Sequence, residues 1–516
     1  MGVTEDRKFT KKAIFEMLEN AVGKTLGEID REGSHQFDRT LKSAKITGIA
    51  GDVIEQSLFG YARDSIQGCD IEIDGTLVEL KTTGVRVPLS KVSEATGKSG
   101  DAYKVYYTAK EGISVTRVTI EPIQQDFWTS HFWDKARRML IVFYDYQSYE
   151  VVPAITYSKF PIVGYCLNTF SPSEEAQLKN DWEIVRNYLN QNYKKYPLNK
   201  EERLNHLVGF TGKLRPNLLL IELVPSFKKN KNSNSFQSPR YRLKKTFVDT
   251  IVTGHFNKSR AKHEISLKES FSSFAELDAR CHALSETYKG MTCNELRNEL
   301  NIKTSMNTKS FSAECILKMF NADCKRLNQI IDFNRAGIIC KTITLDSKGR
   351  NTEDMKLQHI DFKEWAERDI DFEDSNIYEY FMEHSLLCPV FIEWDSKDKG
   401  KTTFEGFKRF AFNDDFIEGD VKRMWEDSRR LIHTNTLKWE YEYDKNGRKI
   451  KNNSGSWRGA PNLPKRKDYT VFFRGGANTS SDKDRTEIIN NIKILPQYFW
   501  LRGSYVADEL KKLSYL

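Results

Sequence analysis

The sequence predicts a mixed α/β protein built as two tandem copies of one domain, and three observations carry that expectation. A chain of 516 residues is longer than one hydrophobic core usually organises. The stretch Gly51–Thr83, GDVIEQSLFGYARDSIQGCDIEIDGTLVELKTT, changes partway from a helical to an alternating apolar period. Several patterns of the first half recur, in the same order, in the second half.

Residues 10–22 read as an amphipathic helix, with Thr10 as cap and Ile14, Phe15, Leu18, Ala21 and Val22 on one face. Ile54, Leu58 and Tyr61 recur at helical spacing, and Gly60 and Gly68 close that segment. Asp70 to Ile73 alternates as a strand, Asp74-Gly75 is a type I′ hairpin signal, and Thr76 to Thr82 alternates again. Met139 to Tyr144, MLIVFY, reads as a buried strand with Val151 to Tyr157 as its partner. Residues 172–193 follow a helical pattern with Trp182 directed to the core. The first domain spans 1–256. Residues 257–274 are polar and basic and read as a linker, and 275–516 form the second domain.

Composition excludes several classes. Hydrophobic residues make up 39% and charged residues 29%, as in a water-soluble globular chain. No apolar run approaches the ~18 residues of a membrane span. The N-terminus, MGVTEDRKFTKK, has no apolar stretch after its charges, so neither a signal peptide nor a membrane role is expected. Eight cysteines without a C-x-x-C pair read as reduced thiols of a cytoplasmic protein, not a zinc site.

The hairpin carries the chemistry. If Asp74-Gly75 is its loop, Ile73 faces Thr76 and Asp70 faces Glu79, with Lys81 on the same side. Two carboxylates this close repel each other, and a hard divalent cation between them reverses that sign. A neighbouring lysine can then hold a water or stabilise developing negative charge. Such a set suits Mg²⁺-dependent phosphodiester hydrolysis. The same residue types also occur on solvated hairpin faces with a weak ion pair. Glu55 favours the chemical reading, because a carboxylate beside an apolar stripe is otherwise unwelcome. Glu72 and Asp74 remain rivals to Asp70 as the first metal ligand.

Between Phe227 and Lys262, ten basic residues are opposed by Asp249 alone. Lys228, Lys229, Lys231, Arg240, Arg242, Lys244 and Lys245 read as a phosphate-contacting strip for double-stranded DNA.

These residues carry a resemblance. GDVIEQSLFG followed by VELKTT resembles the MutH and Sau-type family of DNA endonucleases, which cut at GATC. Gly23-Lys24-Thr25-Leu26-Gly27-Glu28, Thr129-Ser130-His131 with Lys135, Asp181-Trp182-Glu183 and Tyr241-Arg242-Leu243-Lys244-Lys245-Thr246-Phe247 resemble further family segments in order. The resemblance implies a restriction-endonuclease-like MutH fold, with Asp70, Glu79 and Lys81 as the catalytic set. It also implies Mg²⁺ on Asp70 and Glu79, and supporting roles for Glu55 and Lys135. Leu220 to Lys229 departs from the family, because it has no counterpart to the Arg-Pro pair with which the MutH branch reads guanine.

The second half repeats the first with its chemistry altered. Gly290-Met291-Thr292-Cys293-Asn294-Glu295 echoes Gly23 to Glu28, and Ile338-Ile339-Cys340-Lys341-Thr342 echoes Val78 to Thr82. Trp425-Glu426 echoes Trp182-Glu183, and Phe499 to Val506 echoes Tyr241 to Val248. Ile339 stands where Glu79 stands, and Ile cannot bind a metal, so this copy should bind DNA without cutting it. Asp332, without a partner carboxylate, reads as structural. Arg474 beside Gly475-Gly476 resembles a recognition segment of the Sau-type C-terminal domain; a surface arginine at a turn is the alternative. The expectation is a type II restriction endonuclease whose second domain binds another site as an allosteric effector, with dimerisation or looping on two-site DNA. The alternatives are a MutH-like strand-nicking repair endonuclease and a non-catalytic DNA-binding protein.

Overall fold

The computed structural model describes the chain apart from residues 1–3, 44–45, 47, 63–67, 88–106, 149–151, 198, 230–235, 262, 309, 352, 361, 369, 454 and 478. The chain divides into two compact units. Unit 1 is Met1–Leu277 with Asn328–Gly337, and unit 2 is Asp278–Leu327 with Ile338–Leu516. Both mix helices with mixed sheets.

Unit 1 is built on β1 (Lys8–Phe9), β2 (Ile71–Ile73), β3 (Thr76–Arg86), β4 (Thr108–Ala109), β5 (Ile113–Arg117), β6 (Arg138–Asp145), β7 (Ile162–Thr169), β8 (Ile221–Lys229) and β9 (Phe236–Leu243). Its main sheet runs β1-β2-β3-β6-β7, with β4 on β3. Asp74 and Gly75 both take positive φ, 46° and 76°, as a type I′ turn demands. That turn sets the predicted register, Ile73 opposite Thr76 and Ile71 opposite Val78. Beyond the hairpin β3 lies parallel to β6, pairing Glu79 with Met139. The MLIVFY run is buried along its length, as a central strand covered on both faces must be. The helix Lys11–Ala21, capped by Thr10, sends Ile14, Leu18 and Ala21 into the core beneath the hairpin, with Ile54, Ile71 and Leu80.

The expected partner of β6 is displaced. Ala154–Lys159 is a short 3-10 turn behind Pro153, and β7 pairs with β6 in its place. Proline has no amide hydrogen for a ladder, so a strand through it beside a central strand is disfavoured. Val151 lies outside the described residues. The stretch expected as a linker is packed within unit 1: Leu267 and Phe271 are buried, and Gln177 donates to the Phe271 carbonyl at 2.6 Å. Buried Asp332 holds this segment by accepting from the Leu267 amide and the Ser270 hydroxyl, both at 2.7 Å.

Unit 2 contains β10 (Ile338–Cys340), β11 (Ile343–Asp346), β12 (Met355–His359), β13 (Ser385–Glu393), β14 (Thr403–Ala411), β15 (Trp439–Tyr441), β16 (Gly459–Pro461), β17 (Val471–Gly475), β18 (Glu487–Ile489), β19 (Ile492–Ile494) and β20 (Gln497–Leu501). β10 and β11 lie parallel to β13, and β14 is antiparallel to β13. This repeats the arrangement of β3, β6 and β7. Each unit also has an antiparallel three-stranded sheet, β5-β9-β8 or β12-β20-β17. In each, the central strand runs directly into a helix, Lys245–Phe256 or Gly503–Lys511.

The local details match too. Gly23 and Gly290 have φ of 89° and 80°. Thr25 and Thr292 each close a capping box, with Glu28 and Glu295. Thr25 bridges Pro161, and Thr292 bridges Thr403. No helix among the described residues is long and apolar enough to cross a membrane.

Candidate active site

The site forms where the hairpin meets β6. Asp70 sits one position beyond the last hairpin pair, and its Oδ2 accepts the Leu80 amide at 2.9 Å. That bond fixes its carboxylate beside Glu79. Glu79 is buried, its side chain only 1% exposed, yet charged groups surround it. Lys81 Nζ lies 2.6 Å from its Oε1, and Lys135 Nζ lies 2.9 Å from both oxygens. Removing one partner of such an arrangement leaves an uncompensated buried charge, so the three residues act as a unit.

Lys135 arrives from the helix His131–Ala136, which begins at an exact place for a local reason. Ser130 accepts the Trp133 amide as N-cap and donates its hydroxyl to the Phe127 carbonyl at 2.7 Å. Burial draws the Lys135 ammonium down, but Glu79 and Asp70 outweigh it and leave its pKa raised. Burial, and then the charge of Glu79, raises Asp70.

Glu55 is on the adjacent helical segment, where Val53–Leu58 is wound as a π turn: the Phe59 amide donates five residues back, to Ile54. π turns of this kind recur at functional sites. Burial, Asp70 and Asp52 push Glu55 up to about 7. Behind the carboxylates, Arg7 donates to the Ala62 carbonyl at 2.7 Å and lies 4.5 Å over the Tyr61 ring.

The rivals to Asp70 are engaged elsewhere. Asp74 is exposed, and its Oδ1 accepts the Lys11 amide at 3.2 Å. Glu72 stands in register with Lys8 of β1, and its charge raises the Lys8 pKa only after that of Glu5, which holds the ammonium.

The donor set fits a hard divalent cation. Among the described residues no group of three or more His, Cys, Asp or Glu side chains could enclose a metal by itself. Asp70 and Glu79 offer instead a two-carboxylate half-shell, and Mg²⁺ is commonly held by one or two carboxylates with waters and substrate phosphate completing its shell. The mutual repulsion of Glu55, Asp70 and Glu79 is what a cation relieves.

The basic strip divides. Lys244 is turned inward: it is buried, donates to the Leu218 carbonyl at 2.5 Å, and its charge acts on buried Asp181. Asp181 in turn accepts the amides of Leu219, Leu220 and Ile221, so the Asp-Trp pair anchors the start of β8. Lys244 is therefore corrected from a surface DNA contact to a structural cation. Trp182 packs with Phe127, as expected of a core residue. Arg242 pairs with Glu222 at 2.6 Å, and Lys245 opens the helix that follows β9. Lys228 and Lys229 lie at the end of β8, and Lys231 lies outside the described residues. Exposed Arg240 stands directly opposite exposed Arg117 of β5. Burial, and then Arg117, lowers the pKa of Arg240. Directly opposed like charges are destabilising, and a polyanion relieves them. Arg117 is a residue the sequence reading missed.

In unit 2 the register pairs Ile339 with Leu386, as Glu79 pairs with Met139. The helix Asn376–Glu383 is capped by Ser375, whose hydroxyl donates to the Phe372 carbonyl at 2.5 Å, repeating Ser130 and Phe127. Counted from those caps, Tyr380 stands at the place of Lys135. Lys341 makes no ion pair among the described residues, and burial lowers its pKa. The preceding helix, Phe311–Met319, keeps four-back winding at Phe320, and Glu314 accepts a bond from the Thr304 hydroxyl. Arg474 donates to Asp354 at 2.8 Å, beside Arg466, and stacks over Trp500.

A family profile described as "DNA mismatch repair enzyme MutH" matches residues 59–181, the span that holds Asp70, Glu79, Lys81 and Lys135. The type II restriction enzyme Sau3AI of Staphylococcus aureus is 25% identical to this chain, in an alignment covering 98% of this chain and 99% of that protein. The chain is thus similar to the MutH and Sau-type DNA endonucleases. The likeness to the Staphylococcus protein includes unit 2, well beyond the MutH match.

Proposed function

We propose that this protein is a type II, site-specific deoxyribonuclease that hydrolyses both strands of duplex DNA with Mg²⁺, at GATC or a related site. The observation that carries the reading is the buried Glu79 carboxylate, clasped by Lys81 and Lys135 and held beside Asp70 by the Leu80 amide. Asp70 and Glu79 would hold Mg²⁺, which when bound supplies Lewis-acid stabilisation at the scissile phosphate. Lys81 orients the attacking water and offsets charge developing at the phosphoryl oxygens, and Lys135 holds the Glu79 carboxylate in place. Glu55, with its raised pKa, is suited to exchange a proton with that water near neutral pH. Arg117 and Arg240, with Lys228, Lys229, Lys231, Arg242 and Lys245 of the strip, contact phosphates.

Unit 2 is proposed to be a diverged copy of unit 1 that binds a second site and regulates cleavage without cutting. The matched registers, capping boxes and N-caps support the duplication, and Ile339 with Tyr380 supports the loss of chemistry. Arg474 is its candidate guanine reader, released from Asp354 on binding. The alternative, strand nicking in repair, is less favoured because the likeness to the restriction enzyme extends over the second unit.

Incubating a supercoiled GATC-bearing plasmid with and without Mg²⁺ discriminates the readings. Linear product in Mg²⁺ alone is expected. Nicked circles alone would favour the repair reading, and intact plasmid bound by protein would leave a non-catalytic DNA binder.

A further inference from the structure

Unit 2 carries a projection that neither the duplication nor the catalytic reading uses. β15 and β16 pair as the base of an arm, Trp439 opposite Pro461. Beyond them the chain forks into two small hairpins, closed by bridges between Tyr443 and Lys449 and between Lys451 and Trp457. Ile450 joins the fork, donating to the Glu442 carbonyl at 3.0 Å and accepting from the Arg458 amide at 2.8 Å. Gly447 and Gly455, with φ of 74° and 84°, make the two turns. The arm is mounted firmly: Ser456 donates to the Ser480 carbonyl at 2.9 Å, and Arg485 lies 4.1 Å over the Trp439 ring.

Its surface chemistry is one-sided. Every carboxylate of the arm is already used: Glu440 on Lys465, Glu442 on Arg458, and Asp444 on the amides of its own turn. Lys445, Arg448, Lys449 and Lys451 have no ion pair among the described residues and are exposed. Tyr443 and Trp457 remain 55% and 43% exposed beside them. Lys449 and Lys451 lie over aromatic faces, at 3.6 Å from the Tyr441 ring centre and 5.1 Å from that of Trp457. Single exposed aromatics are ordinary. Four unneutralised cations interleaved with aromatic faces, on a fork too small for its own core, are not. A polyanion with flat apolar groups between its charges satisfies both halves of this surface, and duplex DNA presents phosphates flanking sugars and base edges.

We infer that the forked arm is a duplex-DNA grip of unit 2, its four cations on phosphates and Tyr443 and Trp457 against the groove wall. The inference rests on the reading that this chain acts on duplex DNA.

The test uses the full-length protein in metal-free buffer, with binding to a GATC duplex and to an unrelated duplex followed across a salt series. Changing Lys445, Arg448, Lys449 and Lys451 together to Gln should lower the slope of log K against log salt by up to about 3.6, at about 0.9 per phosphate contact. Both duplexes should lose affinity alike. Tyr443→Ser with Trp457→Ser should lower affinity at every salt and leave the slope alone. Acetylation footprinting of the unaltered protein gives an independent readout: duplex should protect Lys445, Lys449 and Lys451. An unchanged slope, or equal acetylation with and without duplex when the unaltered protein binds and cuts DNA, overturns the grip and leaves the nuclease reading intact. An unaltered protein that neither binds nor cuts DNA overturns that reading, and the grip with it.

Discussion

Unit 1 and unit 2 place the same frame around opposite chemistry. A strand parallel to a central strand, a serine-capped helix ahead of that central strand, and a Gly-x-Thr capping box recur in both. In unit 1 the frame gathers Glu79, Lys81 and Lys135 around a buried carboxylate; in unit 2 the matching places hold Ile339, Lys341 and Tyr380. The frame survives because capping and strand pairing depend on residues other than those that do chemistry. Two side-chain differences, Ile339 for Glu79 and Tyr380 for Lys135, leave unit 2 without the buried carboxylate and one of the two lysines that clasp it.

The largest expected contrast is catalytic. Glu79→Ala should lower the cleavage rate by roughly a thousandfold or more, and Lys135→Ala by roughly 10²–10³. Tyr380→Ala, at the matching place, should leave single-site cleavage within about twofold. Plasmid cleavage kinetics read all three, and comparable losses from Tyr380→Ala and Lys135→Ala would break the comparison.

DNA affinity follows. Arg117→Gln with Arg240→Gln should reduce the salt slope of binding by about 1.8. The double variant should also be slightly more stable without DNA, since the opposed pair costs stability. A lower melting temperature than the unaltered protein would mean that the pair is a structural contact.

The third contrast is one of pH. The pKa of Glu55 is raised to about 7 from 4.5, so the folded protein binds that proton more tightly than the unfolded chain. The sign follows from linkage: stability associated with the protonated form is present at low pH and is lost as pH rises from 4.5 through about 7. Glu55→Gln does not titrate, so without metal its melting temperature should gain on the unaltered protein across that window. The gain should be on the order of a few degrees. A difference independent of pH would mean that Glu55 is not the group that titrates.

The smallest contrast lies in the caps. Ser130→Ala and Ser375→Ala should each cost about 1 kcal/mol of stability. Only Ser130→Ala should also slow cleavage, because its helix carries Lys135. Equal cleavage by the two variants would sever the cap from the site.

The hairpin was legible because Asp74-Gly75 dictates a type I′ turn, and a two-residue turn leaves one register for everything outward of it. Asp70, Glu79 and Lys81 followed by counting. Lys135 is separated from Glu79 by a long stretch of chain, and only family likeness pointed to it. Arg117 was not legible at all, since periodicity cannot say that β5 pairs with β9. Lys244 was misread by the rule that lysines are exposed; buried Asp181 needed a cation, and an acid within an apolar helix face was the available signal. The repeat of Asp126-Phe127-x-x-Ser130 as Asp371-Phe372-x-x-Ser375 was also in plain view, and it marks the caps more sharply than the Trp-Glu echo does.

The five-back turn under Glu55 bears on how such a pair of units can diverge. A π turn is an α-helix with one extra residue, and neighbouring residues on an α-helix are about 100° apart around the axis. The chain can therefore lose one codon in that turn while Ile54 and Phe59 keep their places in the core. Such a loss discards or redirects an acid without loosening the fold around it. In unit 2 the helix ending at Phe320-Asn321 is wound four-back, ahead of the same left-handed exit that Phe59-Gly60 makes in unit 1. The two units thus reach the same left-handed exit through different windings, five-back beneath Glu55 and four-back in unit 2.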